Sequence, residues 1–143
     1  MKYIIQGPPI PLQRHRTNNG RTYDPQAQAK ESIGWDLYAQ RVKMHGSVDC
    51  GLIMDGAIRM VIVFYMPIPK SLSIKKQDEL CGTPHHKRPD LSNLIKFVED
   101  AANGILYADD AQIASIKATK LYDLQPRTEF TLKIRRSRIP GRK

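Results

Sequence analysis

The sequence predicts an α+β domain in which one mixed β-sheet is packed by helices, with elements in the order β-α-β-α-β-β. Three observations carry that expectation. The chain is 143 residues long, which is the size of a single domain with one core. The run from Ala57 to Met66 is dominated by β-branched, aromatic and other apolar residues and ends at Pro67 and Pro69, as a central strand does. Between Ser92 and Asn103, Leu94, Ile95, Val98, Ala101 and Ala102 recur at helical spacing, and Gly104 follows as a left-handed stop.

The remaining elements follow in chain order. Lys2 to Gln6 reads as a first strand, stopped by Gly7-Pro8-Pro9-Ile10-Pro11, where prolines remove backbone donors and enforce an extended loop. The loop continues through Arg14, His15, Arg16 and Arg21 around the turn signal Asn18-Asn19-Gly20, a segment that presents cations at the surface. Asp24-Pro25 pairs an N-cap with proline at the first helical position and opens a helix to about His45, before Gly46. Ile33, Leu37 and Met44 belong to its core-facing stripe, with Trp35 nearby. Lys70 to Arg88 turns polar and basic and reads as a flexible basic arm, with a short helix over Ser73 to Leu80. Ile113 to Tyr122 and Arg127 to Ile134 are two strands joined by Asp123-Leu124-Gln125-Pro126. The residues from about 135 to 143 form a basic tail with no acid, expected to be flexible or to touch nucleic acid. No repeat or linker divides the chain, so residues 1–143 are read as one domain.

Hydrophobic residues make up 41% and charged residues 26% of the chain, the balance of an ordinary globular protein. The longest apolar run, Met60 to Met66, is too short for a bilayer, and the N-terminus lacks the long apolar stretch of a signal peptide. A cytoplasmic location and no membrane partner are expected. Cys50 and Cys81 form neither a CxxC pair nor a disulfide framework and read as incidental thiols. The net charge of +9 points to a polyanionic partner, because phosphate binding releases condensed counterions. Basic RNA-associated structural proteins share that property, so charge selects a partner class and no reaction.

Against that excess of cations, the acids are concentrated. Five of 14 lie between Asp90 and Asp110, namely Asp90, Glu99, Asp100, Asp109 and Asp110, in company with one base, Lys96. Carboxylates beside a phosphate-binding surface repel the substrate unless a hard cation such as Mg²⁺ joins them. Asp90 stands at the mouth of the second long helix, Lys96 and Asp100 share a face of it, and a returning strand can bring Asp109-Asp110 back beside Asp90. The same spacing also suits a surface Lys96–Asp100 ion pair, a helix cap at Asp90 or Ser92, and a turn at Asp109-Asp110. Spacing alone leaves both readings open.

The run Arg88-Pro89-Asp90-Leu91-Ser92-Asn93-Leu94-Ile95-Lys96, then Asp100-Ala101-Ala102-Asn103-Gly104, then Asp109-Asp110-Ala111-Gln112-Ile113, resembles the signature of the RusA-type Holliday junction resolvases of bacteria and their phages. Ile5-Gln6-Gly7-Pro8-Pro9, Arg14-His15-Arg16 and Tyr23 extend the likeness over most of the chain. The resemblance implies a homodimer that binds four-way or branched DNA and makes paired nicks with Mg²⁺ or Mn²⁺ in recombination and repair. It implies Asp90 and Asp110 as catalytic, metal-binding aspartates, with Asp109 a further candidate ligand, and Lys96 as the catalytic lysine facing the phosphate. Ser92, Asn93, Asp100 and Asp109 are implied as supporting groups, Asp100 through Lys96.

One departure stands out: the family pattern has an aspartate where this chain has Ser92. A ligand charge is missing. The alternative function is therefore a catalytically weakened or inactive junction-binding protein of the same fold. Arg14, Arg16, Lys87 and Arg88 are the candidate DNA-backbone contacts. His85-His86 reads as solvated, and Tyr23 and Phe97 as either stacking surfaces or core.

Overall fold

Side chains that alternate between two faces fix the plan of the molecule. In the computed structural model, which describes residues 2–45 and 56–134, the strand Ile58–Pro67 buries Ile58, Met60, Ile62, Phe64 and Met66 on one face. Its other face stays half-exposed. The basic tail from Arg135 and Cys50 lie outside the described residues.

The elements are β1 (Lys2–Gln6), β2 (Arg16–Asn18), β3 (Arg21–Tyr23), α1 (Ala27–His45), β4 (Ile58–Pro67), α2 (Ile74–Leu80), α3 (Leu91–Ala102), β5 (Ile113–Asp123) and β6 (Arg127–Ile134). The main sheet has the order β1-β6-β4-β5. It is mixed: β5 runs parallel to β4, while β6 is antiparallel to both β4 and β1. The expected α+β class is what forms. Two details go beyond the sequence reading. β5 and β6 do not pair with each other, because β4 lies between them. The cationic loop also contains a small hairpin, β2–β3, whose turn residues Asn19 and Gly20 both have positive φ, the conformation that tight hairpins require.

Helices α1 and α3 cover the buried face. Leu94, Phe97, Val98, Ala101 and Ala102 of α3 are buried, and Leu94, Val98 and Ala102 join Leu37 of α1 and the β4 residues in one core. The stripe assigned to α1 holds only in part. Leu37 is buried and Ile33 packs against the core, but Met44 is 42% and Trp35 65% exposed. The helix has few large apolar residues, and it comes close to the end of α3 at Gly34: a Cβ added there would lie 3.4 Å from the Ala101 carbonyl and 3.6 Å from Ile105 Cγ1.

The far face of the sheet is polar. There Arg127 stacks over Tyr65 at 3.9 Å and pairs with Asp123 and Glu129. One-sided burial of this kind suits a largely antiparallel sheet. The outer edge of β5 is covered by the segment after α2, where Gly82 N and His85 N donate to Tyr122 and Lys120 carbonyls and Tyr122 N donates to Thr83. That covering ties down part of the arm expected to be flexible. It also occupies an edge that would otherwise template aggregation. No helix among the described residues is long and apolar enough to cross a membrane.

The close α1–α3 approach makes a prediction. Gly34→Ala places its methyl at ordinary contact and gains helix propensity, so stability rises by about 0.5–1 kcal/mol. Gly34→Leu overfills the crossing and loses about 1–3 kcal/mol. Urea denaturation distinguishes them; equal stabilities would show that the crossing is looser than described.

Candidate active site

Helix α3 separates two polar centres, one at each end. At its start, Asp90 occupies the N-cap, where extended backbone and the Asp90 carbonyl receive Asn93 N and Leu94 N. The Asp90 side chain makes no capping bond. Its carboxylate is therefore not consumed by the helix. Ser92 is exposed in the first turn, and Lys96 is exposed one turn on.

Asp90, Asn93, Arg88 and His85 line an open groove of about 700 Å³ with the proline loop Pro8–Pro11 and Leu12. Both walls are tied down. Leu12 N donates to Asn93 O, while the Gln26 side chain accepts from Gln13 N and donates to Pro11 O. On the other wall, Lys120 Nζ donates to the Lys87 and Pro89 carbonyls at 2.7 Å each. Lys120 thus fixes the backbone just before Asp90 from the adjacent strand. His85 is held against Tyr122, and burial, followed by repulsion from Lys120, His86 and Lys87, depresses its pKa. The shift disfavours the imidazolium relative to a freely solvated histidine. Arg14, Arg16, Lys87 and Arg88 are all exposed, with Arg88 on the groove itself.

At the other end, Asp109 caps the short 3-10 turn Asp110–Gln112. Its side chain accepts from Ala111 N, and the Gln112 side chain returns to Asp109 N. This is a reciprocal cap. Gln112 also donates to the Gly56 carbonyl, anchoring the turn.

The carboxylates here act on one another. A side-chain hydrogen bond with Asp109 raises the Asp110 pKa, with partial burial and repulsion from Asp109 and Asp100 adding to it. Asp109 is lowered, first by the Ala111 N–H and then by the bond from Asp110. Burial, then Asp110 and Asp100, raises Glu99, while Lys96 opposes the shift. Asp100 pairs with Lys30 at 3.4 Å, and Lys30 is held by Asp24 at 2.7 Å. The Lys96–Asp100 ion pair considered from the spacing is not among the ion pairs formed; Lys30 of α1 takes that place.

The structure therefore gathers Asp100, Asp109, Asp110 and Glu99, with Lys96 beside Glu99. It does not add Asp90, which stands ten residues before Asp100, about 15 Å along the helix axis. Glu99, counted among the clustered acids, was given no role by the spacing, and Lys30 was not singled out at all, because only the α1–α3 crossing brings it in. Among the described residues no group of three or more His, Cys, Asp or Glu side chains is arranged to hold a metal ion. The chemistry of the second centre nonetheless fits a hard cation, because it offers carboxylate oxygens whose mutual repulsion Lys30 and Lys96 offset only in part.

The sequence model of the Endodeoxyribonuclease RusA family matches residues 6–133, and the chain belongs to that family. It is also 30% identical over 141 residues to the uncharacterized protein YqaN of Bacillus subtilis (strain 168), covering 93% of this chain and 95% of that protein. Membership supports Holliday junction resolution, an endodeoxyribonuclease activity on branched DNA, as the general function. Nucleases of this family are generally dependent on divalent metal.

The raised Asp110 pKa has a signed consequence for stability. A carboxylate whose folded pKa lies above its unfolded value of 3.8 penalises folding once the pH exceeds the folded value, and the penalty vanishes below the unfolded one. Asp110→Asn is expected to raise the melting temperature at pH 7.5, with the gain closing as the pH falls below the ordinary aspartate range. A destabilised variant at pH 7.5 would contradict the repulsion.

Proposed function

We propose that this chain is a structure-selective endonuclease that resolves four-way DNA junctions by paired phosphodiester hydrolysis, acting as a homodimer with Mg²⁺ or Mn²⁺. The observation that carries the reading is the mutually repelling carboxylate group at Asp109-Asp110, Asp100 and Glu99 in a protein of net charge +9. Repulsion of this kind is retained where a cation or a reaction uses it.

In this reading Asp110, supported by Asp109, is the principal metal-holding residue, and Asp90 presents its uncapped carboxylate from the start of α3. When bound, a divalent ion supplies charge neutralisation at the phosphate and a more acidic water. Lys96 contributes a cation that faces the scissile phosphate and offsets charge developing on its oxygens. Asn93 holds the proline loop through its carbonyl, and Asp100 is positioned by Lys30. Arg14, Arg16, Lys87 and Arg88 follow the DNA backbone without reading sequence. Two nicks in opposed strands require two such sites, hence two copies.

Ser92 favours a second reading, a junction-binding protein with weakened or absent cutting, because the exposed hydroxyl brings no charge to the first turn of α3. Incubation with synthetic four-way junctions and Mg²⁺ or Mn²⁺ separates the two. The nuclease reading expects paired nicks from the native chain, abolished by Asp90→Asn and by Asp110→Asn with junction binding retained. Binding without cutting, with cutting gained by Ser92→Asp, would establish the second reading. Preference for RNA over four-way DNA in competition would sink both.

A further inference from the structure

Beside the carboxylate centre, on the opposite side of Asp100, lies a second groove of about 740 Å³ between α1 and the end of α3, a size suited to a nucleotide-sized ligand. Its lining is unlike that of a phosphate site. Trp35, 65% exposed, meets Tyr38 edge-on with ring centroids 6.0 Å apart. Arg41 is 5% exposed, stacks over Tyr38 at 5.1 Å and spends Nη1 on the Ile105 carbonyl, yet its buried Nε has no hydrogen-bond partner among the described residues. A buried donor left unmet is uncommon and calls for an acceptor.

Charge decides what kind of ligand fits. The lining holds Lys30 and Arg41 against Glu31 and Asp100, a formal balance of zero, and Lys30 is already committed to Asp24 and Asp100. An anion finds no uncommitted surface cation here. A neutral planar ring with carbonyl acceptors finds aromatic faces and an unmet donor. Gly34 at the crossing contributes no side chain to fill the space.

We propose that this groove receives an unpaired nucleobase of branched DNA, stacked on Trp35 and Tyr38, with a base carbonyl meeting Arg41. The proposal rests on the junction-nuclease reading for its DNA, since Asp100 belongs both to this groove and to the carboxylate centre. A base seated here lies against Asp100, the residue this groove shares with the carboxylate centre. Stacking of this kind tolerates any base, because each has a π-face. The stack thus selects for unpaired structure, and the Arg41 contact adds a preference for the carbonyl-bearing bases thymine, cytosine and guanine over adenine.

Trp35 is the single tryptophan of the chain, so tryptophan emission reports on this groove alone. The native protein is titrated without metal with a four-way junction carrying one unpaired thymine, with the same junction abasic at that position, and with oligothymidylate. Quenching by the thymine junction and by oligothymidylate, weaker with the abasic junction, is expected. Trp35→Ala is expected to lower affinity for the thymine junction about tenfold while affinity for paired duplex, read by anisotropy of labelled DNA, is unchanged. Identical quenching by thymine and abasic junctions, or unchanged affinity in Trp35→Ala, would overturn the proposal. So would an emission change with protein concentration alone, which would place a second copy of the chain on Trp35. Junction cutting without base-dependent quenching would sink the groove and leave the nuclease reading intact; base-dependent quenching by oligothymidylate without junction preference or cutting would do the reverse.

Discussion

The structure depends on one packing event, the seating of α3 on the buried face of the main sheet. Leu94, Val98 and Ala102 form the helix side of that contact, and Met60, Ile62 and Phe64 contribute to the strand side of the same core. Burying a residue of this size contributes about 1.5–3 kcal/mol, so the helix cannot shift without a large penalty. Its two ends are thereby fixed in space. One presents Asp90 to the groove beneath the proline loop, and the other holds Glu99 and Asp100 near the turn that carries Asp109 and Asp110. The parallel pairing of β5 with β4 is what returns the chain from that turn across the same layer.

Electrostatics make the second end the less stable part of this arrangement. Asp110 and Glu99 are both raised, and burial and Asp100 contribute to each. Of these acids, only Asp100 has a cation in direct contact among the described residues, Lys30, itself shared with Asp24. The Asp24 carboxyl is held below its ordinary range by Lys30 and by the Gln26 N–H. The start of α1 is thus wired to the end of α3 through one lysine. Around these acids the chain is cationic, a combination that suits binding of a polyanion with chemistry at a charge-poor spot.

Much of this was legible in the sequence, for identifiable reasons. β4 announced itself through alternation and its proline stop, and α3 through the recurrence of Leu94, Val98 and Ala101 with Gly104 behind them. The family signature drew attention to Asp90, Lys96 and Asp110 before any geometry. What could not be read was long-range. Insertion of β4 between β5 and β6 leaves no local trace, since their short connection looks like an ordinary hairpin. The pairing of Asp100 with Lys30, and the bonds from Lys120 to Lys87 and Pro89, join residues far apart in the chain. Met44 misled because a large apolar residue on a helix usually faces the core, whereas here its side chain stays largely exposed. Asp90 and Asp110 were expected side by side; the helix between them sets them at opposite ends of α3.

The account stands or falls on whether the carboxylate group at the end of α3 draws a divalent cation. Paramagnetic Mn²⁺ added in small amounts to the isotope-labelled protein broadens amide signals near the ion and leaves distant ones sharp. The account predicts broadening centred on Glu99, Asp100 and Asp109 to Gln112, removed by excess Mg²⁺. Signals there that stay sharp, or broadening confined to other acidic residues of the chain, would contradict it.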